Sequence, residues 1–280
     1  MKIEFIYPKH YDLIFHVLAY LKVNNASDLY DEKYIERMAH DLTPKINSLQ
    51  KYYNENFERL ALVNFLPYYC GGGFDEMKNS FINCGRFTQE DLSCFIYPFI
   101  EILDCESEFF FDYWDKRHEK LAAMRSSTEE KFTRELEKFS RLFNYFDRSC
   151  KILFSYCITR HGRGFYDDIH FSALVRFPEN GEEFISSLFQ LLHEYTHNFT
   201  DKLLNANINM KDGSHDLSEN IVIWADYYLL KSIDRGLFSM YFDWLKNVAN
   251  NLTEASFPNI FRIDKDLEKE IEKLVDNILS

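Results

Sequence analysis

The stretch Leu191-Leu192-His193-Glu194-Tyr195-Thr196-His197-Asn198-Phe199 constrains this chain more than any other. Residues four apart share a face of an α-helix, so His193 and His197 can present two imidazoles to one point only if the stretch is helical. Leu191, Leu192, Tyr195 and Phe199 then form an apolar flank that needs a sheet or other helices to cover it. Upstream, Asn180-Gly181-Glu182-Glu183 reads as the start of that helix, an amide cap followed by acidic residues in the first turn. The helical pattern runs on to about Leu204.

Two runs rich in β-formers precede the helix, Lys151 to Ile158 and Ile169 to Phe177, the second stopped by Pro178. Arg160-His161-Gly162-Arg163-Gly164 lies between them and reads as the turn of a long hairpin. The chain before Cys150 reads differently. Tyr34, Met38, Leu42, Ile46 and Leu49 recur at helical spacing, with Pro44 expected to break or kink the pattern. Leu60 to Leu66 could form a strand, and Cys70-Gly71-Gly72-Gly73-Phe74 reads as a turn. Helices are expected from Thr88 to about Tyr113 and from Ser127 to Phe146, the second opened by a Ser127-x-x-Glu130 capping box. Its stripe of Phe132, Leu136, Phe139, Leu142, Phe143 and Phe146 reads as core. The C-terminus reads as a helix built on Leu267, Ile271, Leu274 and Ile278.

The expectation is therefore an α+β chain with a mainly helical region over 1–148. A core over 149–280 combines a small antiparallel sheet with the His193–His197 helix and a terminal helix. A 280-residue chain that is 46% hydrophobic has enough apolar surface to offset the entropy of ordering, which excludes disordered and low-complexity classes. Its formal charge of −13 excludes the basic surface that nucleic acids and anionic membranes require. No signal-peptide pattern and no apolar run of membrane-spanning length is visible, so the cytoplasm is the expected location. Six cysteines without a CxxC pair read as reduced thiols, mostly core filler.

Paired histidines at this spacing can serve as two ligands of a tetrahedral zinc ion, and Glu194, beside the first, can then act as a general base toward metal-bound water. A third ligand is needed. Leu203 occupies the position where a third histidine would complete the HExxHxxGxxH pattern. Glu219, 22 residues after His197, stands at the start of a second helical segment that can return it to the metal. The alternatives are Asp226, His215 and Asp201, and Glu219 can also be read as closing a capping box with Asp216. Asp226 lies seven residues after Glu219, on nearly the same helical face, where it could orient a ligand histidine. Asp201 continues the His193–His197 ridge by one turn, and reads as a supporting or solvent-facing carboxylate.

Over about residues 150–235 the chain resembles the gluzincin metallopeptidases, the thermolysin and neprilysin group. The likeness lies in the two β-rich runs, the HExxH helix ending in Asn198-Phe199, and the downstream helix opening with Glu219-Asn220-Ile221. The resemblance implies a zincin-like core and hydrolysis of a peptide or protein substrate. It also implies a sheet-edge strand that pairs with extended substrate, for which Phe171 to Phe177 is the counterpart. It further implies a donor that stabilises the oxyanion, with Tyr227, Tyr228 and His215 as candidates. One departure is clear: gluzincin glutamate helices often carry aspartate four residues after the ligand, and here Ile223 stands there. The alternative to a zinc peptidase is a catalytically inactive zinc-binding or protein-interaction scaffold of the same fold. A metal-free helical interaction protein is a third reading.

Overall fold

A computed structural model describes residues 2–21, 34, 38, 43–60, 73–145, 149–158, 162–166, 170–207 and 215–280. Most of these are helical, and the remainder build a mixed four-stranded sheet. Its strands are β1 (Ile3–Ile6), β2 (Ser149–Ser155), β3 (Arg163–Tyr166) and β4 (His170–Arg176), in the spatial order β1-β2-β4-β3. β1 runs parallel to β2 and β2 parallel to β4, with Ile152 opposite both Phe5 and Ala173. Among the described strands only β3 runs antiparallel to its neighbour, with Gly164 opposite Ala173.

The antiparallel hairpin expected from 151–158 and 169–177 is thus corrected. These two runs are parallel neighbours, and parallel strands need a crossover between them. Part of that crossover is β3, which returns beside β4 and forms the edge. β4 lies inside the sheet, so Phe171 to Phe177 is not the edge strand. The short first strand was absent from the sequence reading, yet it pairs with β2, so the sheet draws strands from both sides of residue 148.

Between β1 and β2 the described helices are α1 (Lys9–Ala19), α2 (Thr43–Glu55), α3 (Phe57–Leu60), α4 (Phe74–Asn83), α5 (Gln89–Asp91), α6 (Tyr97–Lys120), α7 (Ala122–Glu137) and α8 (Ser140–Tyr145). Pro44 is the second residue of α2, where a missing N–H costs nothing, so it starts a helix rather than breaking one. Leu60 ends α3, and 61–66 and 70–72 lie outside the described residues, as do 146–148 and His161. A π-turn, Leu92–Ile96, joins α5 to α6. Pro98, which has no N–H to offer one turn back, follows directly and accounts for the widened turn. Ser127 and Glu130 do not cap a helix: α7 begins at Ala122, five residues earlier, and carries both inside it. Phe132, Leu136, Phe139, Leu142 and Phe143 are fully buried, as their spacing predicts. Of the described cysteines, Cys150 and Cys157 are buried, Cys84 is intermediate, and Cys94 and Cys105 are exposed, so among these core filling describes Cys150 and Cys157; Cys70 lies outside the described residues.

Side chains alternate across a sheet, and the two faces here meet different helices. Phe171 packs edge-on against Tyr195 at 4.7 Å, and Phe154 against Phe132 of α7 at 5.1 Å. Ser155, on the opposite face, donates its hydroxyl to Asp12 of α1. Asp12 is fully buried and also accepts from Trp114 Nε1 of α6 at 2.9 Å and from the Tyr156 amide at 3.1 Å. Burial pushes its pKa up to about 6 against the pull of these donors. One carboxylate thereby ties α1, α6 and β2 together.

After β4 come α9 (Gly181–Asn207), α10 (His215–Ile233), α11 (Arg235–Leu245), α12 (Phe257–Ile260) and α13 (Lys265–Leu279). Asn180 Oδ1 caps α9 by accepting from Glu183 N at 2.9 Å, as its sequence predicts. At 27 residues α9 is about 40 Å long, enough to lie under the sheet and still carry its C-terminal half to α10. Ile271, Val275 and Ile278 of α13 are buried. Among the described residues no helix is long and apolar enough to cross a membrane.

Candidate metal centre

His193 and His197 sit one turn apart on α9 with their rings 5.1 Å apart and edge to face. Glu219, in the second turn of α10, reaches both: its Oε2 lies 3.0 Å from His193 Nε2 and its Oε1 3.6 Å from His197 Nε2. A tetrahedral zinc ion bound at about 2.0–2.1 Å holds its ligand atoms about 3.3 Å from one another. The observed separations bracket that value, and one donor atom from each of the three residues fits within 4.8 Å of the others. The set also suits a cation chemically, since Glu219, Glu194 and Asp226 bring three carboxylates to two imidazoles.

The seven-residue step from Glu219 to Asp226 brings both to α9. Asp226 is 1% exposed, and its Oδ2 lies 3.4 Å from His193 Nδ1, the ring nitrogen turned away from Glu219. Thr196 Oγ1 donates to Asp226 Oδ1 at 2.6 Å, and Tyr241 of α11 donates to Oδ2 at 3.4 Å. Burial alone would depress His193, but hydrogen bonding to Asp226 and Glu219 and the nearby Glu194 charge override it and lift its pKa to about 10. The cluster therefore attracts positive charge to the point between its ligand atoms.

Glu194 reaches β3. Its Oε2 accepts the main-chain N–H of Gly164 at 2.6 Å, while His193 and His197 on the neighbouring ridge face α10. α9 thus carries the ligands on one side and the carboxylate on the side that faces the sheet edge.

The other sequence candidates lie elsewhere. The Tyr227 hydroxyl accepts from Lys231 Nζ at 3.0 Å, and its ring stacks on Phe257 at 4.7 Å within a cluster that includes Trp224, Phe238 and Phe242. Tyr228 donates to Glu268 Oε1 of α13 at 3.0 Å. Neither is brought to the histidines. His215 opens α10 and Asp201 lies within α9, but the side chains of both fall outside the described residues. Asp216 is inside the first turn of α10 instead of capping it.

Sequence reasoning missed Thr196, Tyr241, Gly162 and Gly164. Thr196 and Tyr241 gain their roles only when α10 and α11 pack on α9, so nothing local announces them. The two glycines did leave a signal, their spacing of two, which suits one face of a strand held close to another backbone.

No family model, curated protein or solved structure matches the chain.

Proposed function

We propose that the chain is a zinc-dependent peptidase, with zinc held by His193, His197 and Glu219 and with Glu194 as general base. The observation that carries this reading is the placement of Glu194. It is adjacent in sequence to a ligand histidine, and its carboxylate accepts the Gly164 N–H of β3, an edge strand, so one residue links the helix that bears the ligand histidines to the strand where an extended chain would dock. Zinc held there supplies a Lewis acid for a carbonyl and lowers the pKa of water to near 7.

The protein's own groups do the rest. Glu194 takes a proton from the attacking water and passes it to the leaving amine. Asp226 fixes the ring of His193 from its Nδ1 side, which presents Nε2 to the metal. Among the described residues no strand lies beyond β3, so its outer edge can accept a peptide by strand addition, the role the resemblance assigned to Phe171 to Phe177. The substrate is a peptide or protein in extended form.

Metal content and turnover test the two halves of this reading separately. Purified protein should hold about one zinc per chain, and His193→Ala should lose it. Glu194→Gln should keep the zinc while peptide hydrolysis falls by about 10²–10⁴-fold, the usual weight of a general base. A Glu194→Gln protein as active as wild type overturns the assignment.

A further inference from the structure

Gly162, just before β3, and Gly164 within it lie two residues apart and so face the same way, down onto α9. A Cβ on Gly162 would meet Leu174 O of β4 at 3.2 Å, Val175 Cγ1 at 3.3 Å and Gln190 Cβ of α9 only at 3.4 Å, whereas one on Gly164 would stand 3.0 Å from both Cβ and Oε2 of Glu194. Gln190 and Glu194 are four residues apart, about 6 Å along the helix, while two strand residues advance about 6.6 Å. Strand and helix therefore stay in step, and at Gly164 the missing side chain lets the strand settle closer to α9 than an L side chain would allow. What that approach brings about is the bond of 2.6 Å from the Gly164 N–H to Glu194 Oε2.

We propose that Gly164 is a positioning residue for the Glu194 carboxylate, an assignment that rests on the peptidase reading above. A glutamate side chain has three rotatable bonds. A charge-assisted hydrogen bond to a fixed backbone amide holds it in one arrangement and leaves Oε1 to handle the proton. The strand that docks the substrate is also the strand that aims the base, so the two are aligned by one element.

The test reads the bond directly. The chain has nine glycines, and only Gly164 and Gly236 follow an arginine, so pairing carbonyl-labelled arginine with ¹⁵N-labelled glycine selects these two amides by NMR. The Gly236 N–H also donates to a carboxylate, Asp234 Oδ1 at 2.8 Å, and serves as an internal control. In Glu194→Gln at constant pH the Gly164 amide proton should move upfield while that of Gly236 stays in place. In Gly164→Ala, kcat on a peptide substrate should fall about 10–100-fold, by more than KM rises, with zinc content unchanged.

A Gly164 resonance that ignores Glu194→Gln overturns the proposal, and this measurement does not depend on Gly164→Ala folding. A resonance that moves while Gly164→Ala keeps full kcat reduces the contact to packing and overturns it as well. Wild-type protein that binds no zinc and hydrolyses nothing overturns the peptidase reading, and the positioning role falls with it, whatever the resonance does.

Discussion

Asp226 shows how much one buried side chain is asked to do. A carboxylate that is 1% exposed is costly unless its oxygens are met by donors. Here Thr196 and Tyr241 supply hydroxyls, and His193 Nδ1 lies 3.4 Å from Oδ2 as the charged neighbour. Thr196 has a single hydroxyl proton and two acceptors in reach, the Leu192 carbonyl at 2.9 Å and Asp226 at 2.6 Å. The charged and closer oxygen takes it, so the threonine inside the His-Glu-x-x-His segment is committed to its neighbour's carboxylate. Asp226→Asn keeps the shape but gives up the charge, and turns an acceptor pair into one acceptor and one donor. We expect zinc affinity about 10–100-fold weaker, read by competition with a chromophoric chelator. An unchanged affinity would show that the His193 ring is held by packing alone.

The elements differ in how plainly the sequence announces them, and the differences have physical causes. The site helix α9 was legible in full because its cap, acidic first turn, apolar flank and histidine spacing all agree on one period. β3 was not, since half of its inward face is glycine, and a strand without side chains has no hydropathy pattern to read. The Ser127-Glu130 box misled because the preceding Ala122-Ala123-Met124-Arg125 are themselves good helix formers, and the helix had begun before the box was reached. A true box stands at Thr88, where Thr88 Oγ1 accepts from Asp91 N at 3.1 Å and Asp91 Oδ2 accepts from Thr88 N at 3.0 Å. Asp91 also accepts from Tyr52 at 3.0 Å and Arg59 at 2.8 Å, which pins α5 to α2 and α3. Burial alone would raise the Asp91 pKa, but these donors override it and hold it down at about 2. A depressed carboxylate pKa stabilises the fold fully above the unfolded value near 4, and that support is lost as pH falls through about 2. Thr88→Ala should therefore cost about 1 kcal/mol in urea melts at neutral pH. The stability gap between wild type and Asp91→Asn should narrow as pH drops from about 4 toward 2; a constant gap would exclude this linkage.

Over the whole molecule the helical first half is one crossover connection. β1 leaves the sheet at Ile6, and the chain returns to pair with it only at β2, so the helices in between are laid over a sheet they help to complete. The sequence showed the helices but not this closure, because four residues of β1 carry too little pattern to mark a strand and no local feature records a partner more than 140 positions away. The metal centre makes a second long-range closure. His193 and His197 come from α9 and Glu219 from α10, so zinc in that site would add a bridge between the two helices to the contact of Thr196 with Asp226. Binding to the folded state only, at a free concentration 100 times the dissociation constant, adds about 2.7 kcal/mol of stability. For a chain of 280 residues this corresponds to a Tm increase of about 5 °C. Chelation should therefore lower the Tm of wild-type protein by about that much, and zinc should restore it. His193→Ala should melt at one temperature whether chelator or zinc is present. An equal response in the two proteins would place the stabilising metal somewhere other than between α9 and α10.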